Sequence, residues 1–448
     1  MFSMFHQKLK QIFHDSITAV ASDISSYVRN PLKDFSRNKK ISAEQMLSFL
    51  ISQGASSTKC EWLDFFQLSP DTPSASAMNQ RRSQLLPSAY EAVFHNFTLS
   101  AQNIDSQNSS EQYRYIAADG SDISFFSSPR FSSDDYYISE GHSKRGFYSI
   151  HINAFYDLKQ KIYTDAFLQS AHDKDEFFAF CQLVDRCPIS SSSNYIFIGD
   201  RGYCSYNNMA HVIEKGQYFL FRTKDIHSKG LVGNFRFPDS DEFDISVHVT
   251  LIRSKRKSIK IKENSYCRFV DKETSFDYIQ YGSSDIYELS FRVVRFCISE
   301  NTYECIVTNL PSKSFPAEKI KEIYNARWGI ESSFRKLKYT IGLNHYHGYK
   351  ADFIQQEIWA KLTAYNATEL LVSHTVLKTG NRKYVYAVNF TIAAHICRIY
   401  LRLHAEIDDI DVMALLKKEL VPIREERQFE RLKTAHFRKP KYPIYRAA

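Results

Sequence analysis

The sequence predicts an α/β protein: a core of strands and helices, a β-rich insertion within it, and helical regions at both ends. Three observations carry this. Two short apolar runs, Arg114–Ala118 and Tyr195–Ile198, read as strands, and each leads to an aspartate. Helical and strand patterns alternate between about residues 113 and 222, as they do in α/β folds. Period-two segments then replace helical ones between about 223 and 302.

Taken in order, residues 1–101 read as helical and as a candidate DNA-binding region. Ser42-Ala43-Glu44-Gln45 is a capping-box pattern, followed by Met46, Leu47, Phe49, Leu50 and Ile51. A second helix fits Ser57–Phe66, and a third fits Ser76–Leu86, stopped by Pro87. The third carries Arg81 and Arg82, and three short helices with a basic last member suit a DNA-binding module; a plain bundle with solvated arginines is the other account. Residues 102–112 are polar and Ser/Asn-rich, a linker.

The first part of the core, 113–222, holds the strand ending at Asp119 and a hairpin of Phe147–Tyr156 with Ile162–Leu168. A helix over Asp175–Val184 follows, then the apolar strand before Asp200, a helix over Tyr206–Lys215 and a strand over Tyr218–Phe221. The insertion, 223–302, contains alternating stretches such as Ile245–Leu251 and Leu289–Phe296. The second part of the core, 303–376, has a strand at Tyr303–Thr308, a helix from near Pro316 that carries Glu331, and a strong helix from Asp352 to about His374. Residues 377–448 read as helical and basic, and no internal repeat is visible.

Bulk properties set looser bounds. The 448 residues are 43% hydrophobic and 24% charged, which suits a globular chain with a real core. The net charge of +8 mildly favours a polyanionic partner. None of the eight cysteines forms a C-x-x-C pair, which argues against a zinc site, and free thiols suit a reduced, cytoplasmic setting. Neither a secretory signal nor a run of apolar residues long enough to span a membrane is present, so no membrane partner is expected.

The chemistry points to Asp119, Asp200 and Glu331. Carboxylates gathered at strand ends and on a helix are what hard divalent cations require. On an ideal helix Tyr324, Arg327, Glu331 and Lys338 fall at about 0°, 300°, 340° and 320°, within a stripe about 60° wide. Each carboxylate also has a plainer explanation: a turn aspartate before glycine for Asp119, a turn aspartate, though a less easy one, for Asp200, and an i,i+4 ion pair with Arg327 for Glu331. Trp328, about 40° further round than Tyr324, reads as a core residue rather than a base-stacking one. Asp122 and Asp157 are acidic alternatives without the strand-end context.

These residues resemble a known family, the transposases of the insertion-sequence-4 group. Asp119-Gly120-Ser121 is similar to its first acidic motif and Gly199-Asp200-Arg201-Gly202-Tyr203 to its second. Tyr324, Arg327, Glu331 and Lys338 match its Tyr-x2-Arg-x3-Glu-x6-Lys signature. The likeness covers roughly residues 115 to 345. It implies an RNase H-like catalytic core and a DDE transposase with two-metal DNA phosphoryl transfer. It further implies that Asp119, Asp200 and Glu331 hold two Mg²⁺ (or Mn²⁺) ions. Tyr324, Arg327 and Lys338 would then contact DNA near the element end. The implied partners are DNA, as terminal inverted repeats and target, and a second copy of the chain in a homodimer on DNA; the implied setting is the bacterial nucleoid. A transposase-derived DNA-binding protein that does not cut, and a metal-dependent nuclease without strand transfer, are the alternatives.

The densest basic run, Arg253-Ser254-Lys255-Arg256-Lys257-Ser258-Ile259-Lys260-Ile261-Lys262, lies in the insertion and suits a hairpin gripping the DNA backbone. The basic loop 141–146 and the tail from Arg424 are further candidate contacts. His142, His151, His345 and His347 lack metal-site spacing and read as surface or packing residues.

Overall fold

The computed structural model describes residues 5–37, 39–106, 112–139, 146–189, 194–228, 230–233, 235–255, 266–375, 377, 384–402 and 410–423. The expected contacts at Arg256, Lys257, Lys260 and Lys262, the basic tail, and all but the last residue of the 141–146 loop lie outside them.

The chain begins with helices α1 (Phe5–Ser22), α2 (Ala43–Ser52), α3 (Thr58–Phe65), α4 (Ala75–Arg82) and α5 (Pro87–Ser106). The capping box at Ser42 forms as expected: its hydroxyl accepts from Gln45 N, and the Gln45 side chain accepts from Ser42 N. Pro87 does more than stop a helix. It is the first residue of α5, where its missing N–H leaves no hydrogen bond unmade.

The core is one mixed sheet built from β1 (Tyr113–Phe125), β2 (Tyr137–Ile138), β3 (Phe147–Asp157), β4 (Ile162–Ser170), β5 (Asn194–Gly199), β6 (Tyr218–Thr223), β7 (Phe243–Ile252), β8 (Cys267–Phe269), β9 (Ile286–Ser299) and β10 (Thr302–Thr308). Their order is β2-β3-β1-β5-β6-β10-β9-β7-β8, with β4 also on β3. β1, β5 and β6 run parallel, β3 is antiparallel to β1, β10 to β6 and β9, and β9 to β7, while β7 runs parallel to β8. The strands of the insertion extend this sheet beyond β10.

Helices cover both faces. One face of β1 and β3 packs, through Ala117, Ile123, Ile152, Ala154 and Tyr156, into a core shared with α1, α2, α5 and the long helix Ala351–Ser373 (α10). The other face packs, through Ile116, Ala118 and Phe155, against α6 (Glu176–Arg186) and α7 (Tyr206–Glu214) and the apolar side of the insertion. A third cluster joins β5, β6 and β10 to helix α8 (Ala317–Ala326), which is followed by α9 (Trp328–Lys336). No helix among the described residues is long and apolar enough to cross a membrane.

Four expectations need correction here. β1 does not end before Asp119; it runs on to Phe125, and Asp119 pairs with Ala154 on β3. Asp119-Gly120 is therefore strand, not turn. Arg81 and Arg82 do not face outward. The Arg81 guanidinium donates to the Ile41 carbonyl at 2.9 and 3.1 Å, and Arg82 is 2% exposed and paired with Glu357 on α10 at 2.8 Å. Arg253 is also buried, and its guanidinium donates to the carbonyls of Asp271, Thr274, Phe276 and Ile279. These three arginines are structural staples, because a guanidinium with five donors can gather several backbone carbonyls at once. Lys255, by contrast, is exposed.

Candidate active site

Strand register brings the first two carboxylates together. β1 and β5 are parallel, and Ala117 pairs with Ile198. Two residues on, Asp119 and Asp200 come level. β5 has ended at Gly199 by then, so a notch opens beside β1. Asp200 caps a short turn at Arg201–Tyr203, its carboxylate accepting from Gly202 N at 2.8 Å. Asp119 accepts from Gly120 N at 2.9 Å.

Glu331 arrives from the second half of the chain. α9 is seated by Ile330 and Phe334 in the core and by Ser333, whose hydroxyl lies 2.8 Å from that of Tyr163 on β4. The expected single helix is broken in two places. At Arg327 the amide bonds three residues back to Tyr324 and the carbonyl receives Ile330 N, which separates α8 from α9. Residues Leu337–Ile341 then widen into a π-helical turn. Such irregular turns concentrate at functional positions.

The signature side chains sit around this break. Arg327 donates to Glu331 at 2.9 Å. Lys338 donates to the Ser121 hydroxyl at 2.6 Å and to the Asp122 carbonyl at 3.0 Å, both just beyond Asp119 on β1. Tyr324 is buried, packed with Ile196, Ile198 and Ile306, so its ring does not face solvent. Trp328 does, at 53% exposure, against the expectation that it is core; its ring lies 5.3 Å from the Arg327 guanidinium carbon.

Electrostatics bind these acids into one site. Burial pushes the Asp119 carboxyl up to about 6; Arg327 and the Gly120 amide pull it back, while the Asp200 and Glu331 carboxylates add to the rise. Among the described residues the buried Tyr203 Oη has no hydrogen-bond partner, while His151 Nε2 lies 3.2 Å from Glu176 Oε1. Acids close enough to raise one another's carboxyls would be relieved by added positive charge. An all-oxygen donor set fits a hard divalent cation. The ligand oxygens of the three acids do not all close to within 4.8 Å of one another.

The alternative acids are otherwise engaged. Asp157 is held by Arg114 at 2.7 Å. Asp122 bonds to His151 at 2.6 Å, which holds its carboxyl down at about 2. Among the described residues, one compact His/Cys/Asp/Glu group does lie within 4.8 Å: Cys181, His211 and Asp277. Both His211 ring nitrogens are already taken, by Asp185 at 2.9 Å and Asp277 at 2.8 Å, so this group ties α7 to the insertion.

Sequence reasoning read His151 only as a surface or packing residue and did not single out Glu176. The buried His151 ring lies between Asp122 and Glu176. Its position opposite Asp122 in the β1–β3 register was the signal that could have found it.

The family profile described as the transposase DDE domain matches residues 110–367, more than half of the chain. The chain belongs to the DDE transposase family. A putative transposase, y4zB, of Sinorhizobium fredii is 23% identical over 177 residues, covering 40% of this chain and 42% of its own length. The transposase for insertion sequence element IS231F of Bacillus thuringiensis subsp. israelensis is 23% identical over 188 residues, covering 37% and 39%. The chain thus spans about two fifths of the length of these curated relatives. Among solved structures, a piggyBac transposase synaptic complex with hairpin DNA aligns over 95% of this chain and 88% of that one, at 8% identity and a TM-score of 0.42. The matched segment of this transposase runs from just before β1 into α10, so it includes all three acids.

The raised Asp119 carboxyl has a measurable consequence. Its value of about 6 lies above the ordinary 3.8, so in metal-free protein the charged form opposes folding. The penalty begins near pH 4 and is complete above about pH 6. Asp119→Asn is expected to stabilise the metal-free transposase at pH 7.5 by about 2 kcal/mol, with the gain fading below pH 6. Thermal unfolding in chelator checks this; an unchanged melting temperature at pH 7.5 removes the penalty.

Proposed function

We propose that this chain is a DNA transposase that binds the terminal inverted repeats of an insertion sequence and catalyses metal-dependent end cleavage and strand transfer. One observation supports the reading: the Asp119 carboxyl on β1 feels the charges of Asp200, Glu331 and Arg327, all inside the segment matched to the family. The strand order, with β1 parallel to β5 and antiparallel to β3, supports an RNase H-like core.

Asp119, Asp200 and Glu331 would hold two Mg²⁺ or Mn²⁺ ions. Bound there, the ions would activate a water or a 3′-hydroxyl and stabilise the leaving oxygen of an in-line displacement. The protein's own contribution is positioning. Arg327 orients Glu331 through their hydrogen bond and offsets charge in the site. Lys338, beside Ser121, offers an ammonium to a phosphate of the element end. Tyr324 supports Arg327 from below rather than touching DNA, its ring 5.7 Å from the guanidinium carbon. The exposed Lys255 marks the start of the basic run on the insertion and suits backbone contact. Two ends must be cut and joined together, which calls for a homodimer on DNA.

Trp328 supplies an aromatic face beside the acids. Trp328→Ala is expected to weaken end binding or cleavage by roughly tenfold, from the 1–3 kcal/mol of a base–aromatic stack, while melting changes little. Equal binding and cleavage in the variant would remove Trp328 from the DNA path.

The deciding experiment mixes purified protein, labelled element ends and Mg²⁺. Cleaved ends and joined product support the proposal. Binding without cutting replaces it with a DNA-binding protein, and cutting without joined product with a nuclease.

A further inference from the structure

The acidic site has a fourth carboxylate within reach, on the opposite face of the sheet. Side chains alternate along β1, so Asp119 and Ser121 face α9 while Gly120 and Asp122 face α6. Glu176 is the first residue of α6. A Cβ built on Gly120 would lie 2.9 Å from Glu176 Oε1 and 2.7 Å from His151 Nε2. A Cβ built on Gly202 would lie 3.0 Å from Asp200 Oδ1 and 3.3 Å from Glu176 Oε2. The missing side chains of the two glycines thus leave the space into which Glu176 and Asp200 converge. Any larger residue at Gly120 would meet the carboxylate and the imidazole.

The two oxygens of Glu176 have different surroundings. Oε1 faces His151 Nε2 at 3.2 Å and Lys174 Nζ at 3.7 Å. Oε2 lies on the Gly202 side, where a Cβ built on that glycine would meet both it and Asp200 Oδ1. His151 is 1% exposed and is fixed from its other nitrogen by Asp122 at 2.6 Å. A buried ring held in this way limits the rotation of Glu176 and keeps one oxygen turned to the notch.

A second observation comes from Tyr203, which follows Asp200 in the same turn. It is 2% exposed, and its hydroxyl has no hydrogen-bond partner among the described residues. The charges acting on that hydroxyl are Glu176, Asp119, Asp200 and Arg327. An orphaned hydroxyl among three carboxylates and a guanidinium marks a common interior on which both faces of the sheet open.

From this we propose that Glu176 is a fourth metal-binding carboxylate, reaching through the notch beside Gly120 to share a divalent cation with Asp200, and that Asp122 and His151 position it. The inference rests on the reading of Asp119, Asp200 and Glu331 as metal ligands. It adds an acid from α6 that closes the site from the far side of the sheet. Hard cations take six or more oxygen ligands, so a further carboxylate near Asp200 replaces a water that would otherwise complete the shell.

The test is Mn²⁺ titration of the full-length protein without DNA, followed by electron paramagnetic resonance of free Mn²⁺. It compares wild type, Asp119→Asn, Glu176→Gln and Glu176→Asp, each checked by thermal melting. Glu176→Gln is expected to weaken Mn²⁺ binding by about tenfold or more, and Glu176→Asp to restore part of it. If Glu176→Gln binds as wild type while Asp119→Asn does not, Glu176 is only the ion-pair partner of His151 and Lys174, and the three-acid reading stands. If Asp119→Asn also binds as wild type, or wild type shows no saturable binding, the metal reading of the whole site fails and this inference with it. Should Glu176→Gln unfold, Glu176→Asp decides: unaltered folding with weakened binding supports the ligand, and unaltered binding overturns it.

Discussion

Asp200→Asn is expected to leave a folded protein that still binds element ends and no longer cuts them. The amide keeps the shape of the carboxylate and the acceptor for Gly202 N, so the turn at Arg201–Tyr203 should persist. What disappears is a negative charge aimed at the notch. Losing a ligand of a catalytic cation removes several kcal/mol of transition-state stabilisation, or roughly a thousandfold in cleavage rate. Asp119→Asn should behave alike. Glu331→Gln should lose as much, and it also weakens the hydrogen bond that Arg327 now donates to a charged oxygen. Single-turnover cleavage of labelled ends measures all three, with gel-shift binding as the control. A variant that cuts at the wild-type rate takes its residue out of the metal site.

The second large effect falls on stability. Arg82 and Glu357 are 2% and 1% exposed and pair at 2.8 Å between α4 and α10. Arg82 also donates to the Gln356 side chain at 3.0 Å and the Phe353 carbonyl at 2.8 Å. Arg82→Ala is expected to cost about 3–5 kcal/mol, because it strands a buried carboxylate. Burial alone would push the Glu357 carboxyl up; Arg82 and His347 overcome this and hold it at about 2. A carboxyl held below its ordinary 4.5 adds stability that is present above that value and lost as pH falls towards 2. The gap between wild type and Arg82→Ala in urea unfolding should therefore be largest near pH 7 and narrow below about 4.5. A gap under 1 kcal/mol at pH 7 would show that the pair does not brace the helices.

Much of this fold was legible because the relevant signals are local. The Ser42 capping box and the apolar run of β5 declare themselves within ten residues or so, and the hairpin of β3 and β4 within about two dozen. The acids of the site were legible because Tyr324, Arg327, Glu331 and Lys338 keep a fixed spacing along one segment. What stayed hidden depends on partners distant in sequence. Asp119-Gly120 reads as a turn until β3 is seen pairing through it. Arg81, Arg82 and Arg253 look like nucleic-acid contacts until the carbonyls and carboxylate they bind come from elsewhere in the chain. Trp328 looked buried on an ideal helix, but the break at Arg327 turns it out. Glu176 had no motif at all, since its closeness to Asp200 runs through the space that Gly120 and Gly202 leave empty.

The shared core of α1, α2, α5 and α10 also bears on how the chain is made. The amino-terminal helices emerge from the ribosome first, yet the helix that covers their apolar faces begins at Ala351. At about 5–20 residues per second, translation leaves those faces uncovered for some tens of seconds. The candidate acidic site is late for the same reason, since Asp119 and Asp200 wait for Glu331. Neither the shared core nor the gathering of the three acids can close until the chain has been made through Glu331 and the helix from Ala351.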